Sequence, residues 1–212
     1  MGMMDVPGQI ADFGRQMLRT GAYALCVPNL IHMQSKPAAW VFPRYGTTID
    51  EIVLHGTESN VSQVKSLDYL ASKNSDKHSI HYWIGRDVGL LYALVPEDQS
   101  TPHAGNPDNV PGVQDHNFRS IGIEMYQWDP DVLRAKKLAV DFTDWQYNTV
   151  AQLVYDICRR RGIKRAMVVG HGKINHVQRA DPQGFDWPRF NRLVDQISTT
   201  LGGVLGDDFK ID

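Results

Sequence analysis

The chain has 212 residues and a mass of 23.9 kDa, the size of one domain plus a short extension, and enough to bury a core without disulfide or metal staples. Apolar residues make up 42% and charged residues 22%, a globular balance that rules out a disordered chain. Lys and Arg number 22 against 24 Asp and Glu, a formal charge of −2 without the basic excess of a nucleic-acid binder.

Residues 1–47 read as an N-terminal extension. Within it, Ile10, Phe13, Met17 and Leu18 are spaced for one face of a short helix over Gln9 to Leu18. Pro28, Pro37 and Pro43 then interrupt the segment, so it is expected over the surface, either as packing or as a specificity or partner-binding element. No stretch approaches the roughly 18 consecutive apolar residues of a membrane span. The best signal-like run, residues 21–27, is short, ends at Pro28 and has no small-residue cleavage site. The expectation is a chain made in the cytoplasm without a signal peptide.

From Thr48 strands and helices alternate. A strand over 49–55 ends in His55. Ser59 or Asn60 is placed to cap a helix through Ser72, with Val61, Val64, Leu67 and Leu70 apolar. Residues 78–84 and 90–95 read as two strands joined through Arg86-Asp-Val-Gly89, a hairpin. Residues 97–119 read as loop, 120–126 as strand and 129–143 as connecting material. Asp144 is placed to cap a helix to Arg161, with Tyr147, Val150, Ala151, Val154, Ile157 and Cys158 as its stripe and Gly162 as its stop. Arg159, Arg160 and Arg161 are expected as a solvated cation cap at its C-terminus. A buried strand over 166–170 leads to His171, a last helix covers about 188–199, and 199–212 is a tail. The order implies a single α/β domain over 48–198 with a mixed central sheet flanked by helices.

Two predicted strand ends carry histidine followed by glycine, Leu54-His55-Gly56 and Gly170-His171-Gly172, where α/β folds place their chemistry. Asp181 lies ten residues beyond His171. Two histidines and one carboxylate form a usual catalytic zinc set, with the fourth position left for water.

Six pieces stand in one order: Ile52-Val-Leu-His-Gly-Thr57, His81-Tyr-Trp-Ile-Gly-Arg-Asp87, Pro102-His-Ala-Gly105, Ser120-Ile-Gly-Ile-Glu124, Val169-Gly-His171 and Arg179-Ala-Asp-Pro-Gln-Gly-Phe-Asp-Trp187. Over about residues 48–198 the chain resembles the type 2 N-acetylmuramoyl-L-alanine amidases, which share a fold with T7-type lysozymes and peptidoglycan recognition proteins. The resemblance implies a Zn2+ enzyme that cuts the bond between N-acetylmuramic acid and the L-alanine of the stem peptide, in peptidoglycan or a muropeptide. It implies His55, His171 and Asp181 as zinc ligands. Glu124 matches the acidic residue that works on the attacking water, His103 a histidine lining the substrate groove, and Arg179 the position where the family usually has lysine. Ile80 stands where the T7-type branch has tyrosine, and Thr101-Pro102 replaces a small residue and tryptophan. A peptidoglycan-binding module of the same fold would be expected to lack a ligand or the acid, and this chain keeps all four. The resemblance leaves three settings open: an endolysin, a secreted antibacterial effector with a delivery or immunity partner, and a cytosolic enzyme recycling anhydro-muropeptides. The first two act on the cell wall.

Overall fold

The computed structural model describes residues 33–105, 115–175 and 178–200. The helix expected at Gln9 to Leu18, His176 and residues 201–212 lie outside them. In chain order the elements are β1 (Gln34–Ser35), β2 (Phe42–Pro43), β3 (Glu51–Gly56), α1 (Gln63–Ala71), β4 (Tyr82–Ile84), β5 (Leu91–Ala93), β6 (Gln99–Ser100) and α2 (His116–Arg119). There follow β7 (Ser120–Met125), α3 (Pro130–Ala135), α4 (Asp144–Arg161), a 3-10 turn Arg165–Met167, β8 (Val168–Gly170), α5 (His171–Ile174) and α6 (Trp187–Thr200).

Six strands form one sheet in the order β1-β5-β4-β7-β3-β8, and β2 pairs with β6 in a second small sheet. Within the large sheet only β4 and β5 run antiparallel, with Trp83 opposite Tyr92, the hairpin that makes the sheet mixed. Gly89 in the turn has φ +89°, a conformation that glycine adopts without a Cβ clash.

Period-two alternation splits the sheet into two working faces. Ile52, Leu54, Tyr82, Ile84, Ile121, Ile123 and Met125 belong to one core cluster with Tyr147, Val150, Ala151, Val154 and Ile157 of α4 and Phe190 and Val194 of α6. Burial of each such large side chain stabilises the fold by about 1.5–3 kcal/mol. The alternate positions, Val53, His55, Gly122 and Glu124, therefore share the other face. There Trp83 packs with Leu67 and Leu70 of α1, at one end of the sheet.

Several boundaries differ from expectation for local reasons. α1 is capped by Ser62, whose hydroxyl accepts the Lys65 N–H. Ser59 cannot cap it, because its backbone bridges to Gln127 and Asp129 beside β7. Residues 129–143 contain α3, with the Asp129 carboxylate accepting the Asp131 and Val132 N–H groups and Pro130 in the first turn. α4 is capped by Thr143 in a reciprocal box with Gln146, which leaves Asp144 inside the first turn. Gly162 ends α4 in the left-handed conformation, as expected.

The residues of β1 and β2 are exposed, yet they belong to the sheets: β1 runs parallel to β5, and β2 pairs with β6. Prolines are compatible with edge strands, where a missing donor interrupts no ladder. Arg44 turns inward from this segment and is buried. It donates to the carbonyls of Glu97 and Ser120 at 2.9 Å each, and also to that of Phe118.

The three arginines at the end of α4 are not all solvated. Arg160 grips the buried Glu97 carboxylate with both terminal nitrogens, at 2.7 and 2.9 Å, and its Nε donates to Asp156 at 2.8 Å. Arg161 and the Tyr82 hydroxyl donate to the same carboxylate at 2.8 and 2.7 Å. Burial by itself would raise the Glu97 pKa, but Arg160, Tyr82 and Arg161 bring it down to about 2. A carboxylate with a depressed folded-state pKa stabilises above its unfolded value and loses that contribution as pH falls toward the folded one. Glu97→Gln is thus expected to destabilise by about 3–5 kcal/mol at neutral pH. It should also flatten the loss of stability that urea titrations of the wild type show between pH 4.5 and about 2.

Candidate active site

Three segments bring three buried side chains together. β3 carries His55 one residue before its end, β8 hands the chain to His171 at the start of α5, and the loop before α6 carries Asp181. His55 Nδ1 lies 3.1 Å from His171 Nδ1, and each of these nitrogens lies 3.3 Å from a different oxygen of Asp181. One donor atom from each residue can be chosen so that all lie within 4.8 Å of one another, and among the described residues this is the group able to hold a metal. Gly172 makes the approach possible: a Cβ there would sit 3.1 Å from Ala180 Cα, and its N–H donates to the Asp181 carbonyl at 2.8 Å.

Burial, then the nearby charge of His171, pushes the His55 pKa down to about 4, against the opposing pull of Asp181, so the ring is neutral at pH 7. Asp181 is held below the usual carboxylate range. Burial opposes this, and the hydrogen bonds with His171 and His55 outweigh it. Two imidazoles and a carboxylate are a donor set suited to zinc.

Glu124 is the register partner of His55 across β3 and β7, so the two side chains stand next to each other on one face. Burial pushes its carboxyl well above the usual glutamate value, the Asp181 and Glu58 carboxylates add to this, and the Arg179 charge opposes it. Arg179 is exposed, and its N–H donates to the Asn175 carbonyl at 2.9 Å.

His103 approaches the other side of the His55 ring. Its Nδ1 lies 3.1 Å from His55 Nε2 and its Nε2 lies 3.2 Å from Ser120 Oγ. Asn117 holds this turn, its side-chain oxygen accepting the N–H groups of His103, Ala104 and Gly105 at 2.8, 2.8 and 2.9 Å. Gly122 leaves the space, because a Cβ there would lie 2.6 Å from His103 Nδ1 and would also collide with Ile80. His81 is buried in the core, accepting the Gly122 N–H on Nδ1 at 3.0 Å.

Sequence reasoning missed Ser120, Asn117 and Glu58 as parts of this neighbourhood. Glu58 sits at φ +44° and accepts from Gln183 Nε2 at 2.9 Å. Its only sequence signal is its place three residues after His55. A cavity of about 430 Å3 adjoins Asp181, lined also by Val169, Gly170, Gly172, Pro182 and Trp187.

The model of the N-acetylmuramoyl-L-alanine amidase family matches residues 45–184. The chain belongs to this family. The amidase matches no curated protein by sequence. Among solved structures it is similar to a selenomethionine derivative of AmpD, at 24% identity and a TM-score of 0.60 over 78% of this chain and 96% of that one. It is similar to AmpDh3 from Pseudomonas aeruginosa in complex with anhydromuramic pentapeptide, at 25% identity and a TM-score of 0.55, over 70% of this chain and 61% of that one. A third is AmiD from E. coli in complex with the substrate anhydro-N-acetylmuramic acid-L-Ala-D-gamma-Glu-L-Lys, at 27% identity and a TM-score of 0.53, over 72% and 58%. The mixed sheet flanked by helices is the fold expected from the sequence. Among the described residues no helix of the amidase is long and apolar enough to cross a membrane.

Proposed function

We propose that this amidase is a zinc enzyme and that it hydrolyses the amide between the lactyl group of N-acetylmuramic acid and the L-alanine of the stem peptide. The observation that carries the reading is the convergence of His55, His171 and Asp181, buried and oriented toward one point. These three residues would hold the metal. Zinc bound there supplies positive charge that acidifies a water and polarises the amide carbonyl.

The remaining roles fall to side chains of the chain itself. Glu124, beside His55, takes the proton of the attacking water and returns it to the leaving amine. A carboxyl raised by burial is suited to that return step. Arg179 offsets charge on the carbonyl oxygen, and loss of one such group typically costs about 10²–10³-fold in turnover. Its fork differs from the family's compact ammonium, so it holds that oxygen in a different geometry.

AmpDh3 and AmiD, the two neighbours at 25 and 27% identity, hold anhydromuramyl peptides. This supports a soluble muropeptide as a substrate beside the intact wall. The test is digestion of purified sacculi and of anhydro-muropeptides, with products read by mass spectrometry. Free peptides beginning at L-alanine, abolished by a chelator, are expected. Products that keep the muramyl–alanine bond would refute the bond assignment. Release from sacculi supports the endolysin or effector setting, release from soluble fragments alone supports recycling, and binding without cleavage means a recognition module.

A further inference from the structure

The contacts behind His55 form a line that ends on a backbone carbonyl. His55 Nε2 meets His103 Nδ1 at 3.1 Å, His103 Nε2 meets Ser120 Oγ at 3.2 Å, and Ser120 Oγ meets the His116 carbonyl oxygen at 2.5 Å. The last contact sets the direction of all the others. A carbonyl oxygen only accepts, so the single Ser120 hydroxyl proton lies between the two oxygens. Ser120 Oγ is then an acceptor toward His103, whose Nε2 carries a proton. A neutral His103 has a bare Nδ1, which accepts from His55 Nε2–H. With an ion held by His55, His171 and Asp181, His55 Nδ1 would be bare toward it; without the ion, the same nitrogen stands 3.3 Å from an Asp181 oxygen, to which it can donate. With the ion in place, a proton on His55 Nδ1 would point at the metal and would also set lone pair against lone pair between His55 and His103 or between His103 and Ser120.

We propose that His103 and Ser120 are positioning residues that hold His55 in the tautomer with its proton on Nε2 and its Nδ1 lone pair free for a metal. The proposal rests on the reading of His55 as a zinc ligand, and it moves His103 from the substrate groove to a place behind the ligand. Asn117 and Gly122 serve the same end, the first by pinning the turn that carries His103 and the second by making room for the ring.

Nitrogen-15 NMR of the histidine rings in the full-length, zinc-loaded protein reads the tautomers directly. His55 and His103 are both expected with the proton on Nε2. A proton on His55 Nδ1 would overturn the proposal. Zinc affinity, measured by competition with a chromophoric chelator, gives a second readout. His103→Leu should weaken binding about 10–100-fold. His103→Asn should recover most of it, because its side-chain oxygen can stand where Nδ1 stood. Equal affinity in the wild type and His103→Leu would also overturn the proposal. So would equal weakening in the Leu and Asn variants, which marks a merely structural role. A wild-type protein that binds no zinc would refute the metal reading and the proposal with it, whereas zinc binding without the expected tautomer or variant effects would overturn the proposal alone.

Discussion

Glu124→Gln is expected to lower kcat/KM for muropeptide hydrolysis by about 10²–10⁴-fold, the usual contribution of a positioned acid–base group. Glutamine keeps the volume and much of the polarity of the side chain but cannot take a proton from water. Zinc content should therefore stay at the wild-type level. The pH dependence is the more discriminating readout. Burial raises the Glu124 pKa above the ordinary value of 4.5, so the acid limb of the wild-type kcat/KM profile should fall above that value and vanish in the variant. Stability should move the other way. An acid whose folded-state pKa is raised loses stability as pH rises through the window between its unfolded and folded values. Removing this charge should raise the unfolding temperature of the metal-free protein at pH 7. Activity within about tenfold of wild type would remove Glu124 from the chemistry, since an essential base contributes at least about 10²-fold.

Asp181→Ala should abolish retention of zinc and, with it, activity. The carboxylate is the one anionic donor among the three, and without it two imidazoles face a dication. Elemental analysis after dialysis should find about one zinc per chain in the wild type, as a single three-ligand catalytic site requires, and almost none in the variant. Asp181→Asn, nearly identical in shape, separates charge from packing: it should also lose the metal. If either variant kept its zinc through dialysis, Asp181 would not be a ligand.

Legibility in the sequence followed the range of the interaction. β3 and β7 are mostly apolar runs, so the strands that carry His55 and Glu124 near their C-terminal ends are legible from the residue pattern, while the roles of the two residues came from the resemblance. The hairpin of β4 and β5 and the helix ended by Gly162 are local features and matched expectation. α3 was missed although Asp129-Pro130 is a helix start, because its six residues are too few to show a period. β1 and β2, of two residues each, have no period at all; pairing with β5 and β6 creates them. The arginine triplet misled for a related reason. Its helix position argued for a solvated cap, while its partner, Glu97, lies more than sixty residues away along the chain.

By itself the sequence determined the alternation of elements, the two His-Gly strand ends, the carboxylate that follows and the family they resemble. These are readable because side-chain periodicity and turn chemistry act over a few residues. Only the tertiary structure decided which atoms meet. It brought Asp181 between two histidines, set Glu124 beside His55, and ran the line from His55 through His103 and Ser120 to a backbone carbonyl. His55 and His171 are 116 positions apart, and His55 and His103 are 48. Local pattern carries no information about which distant polar groups will satisfy one another once burial removes water.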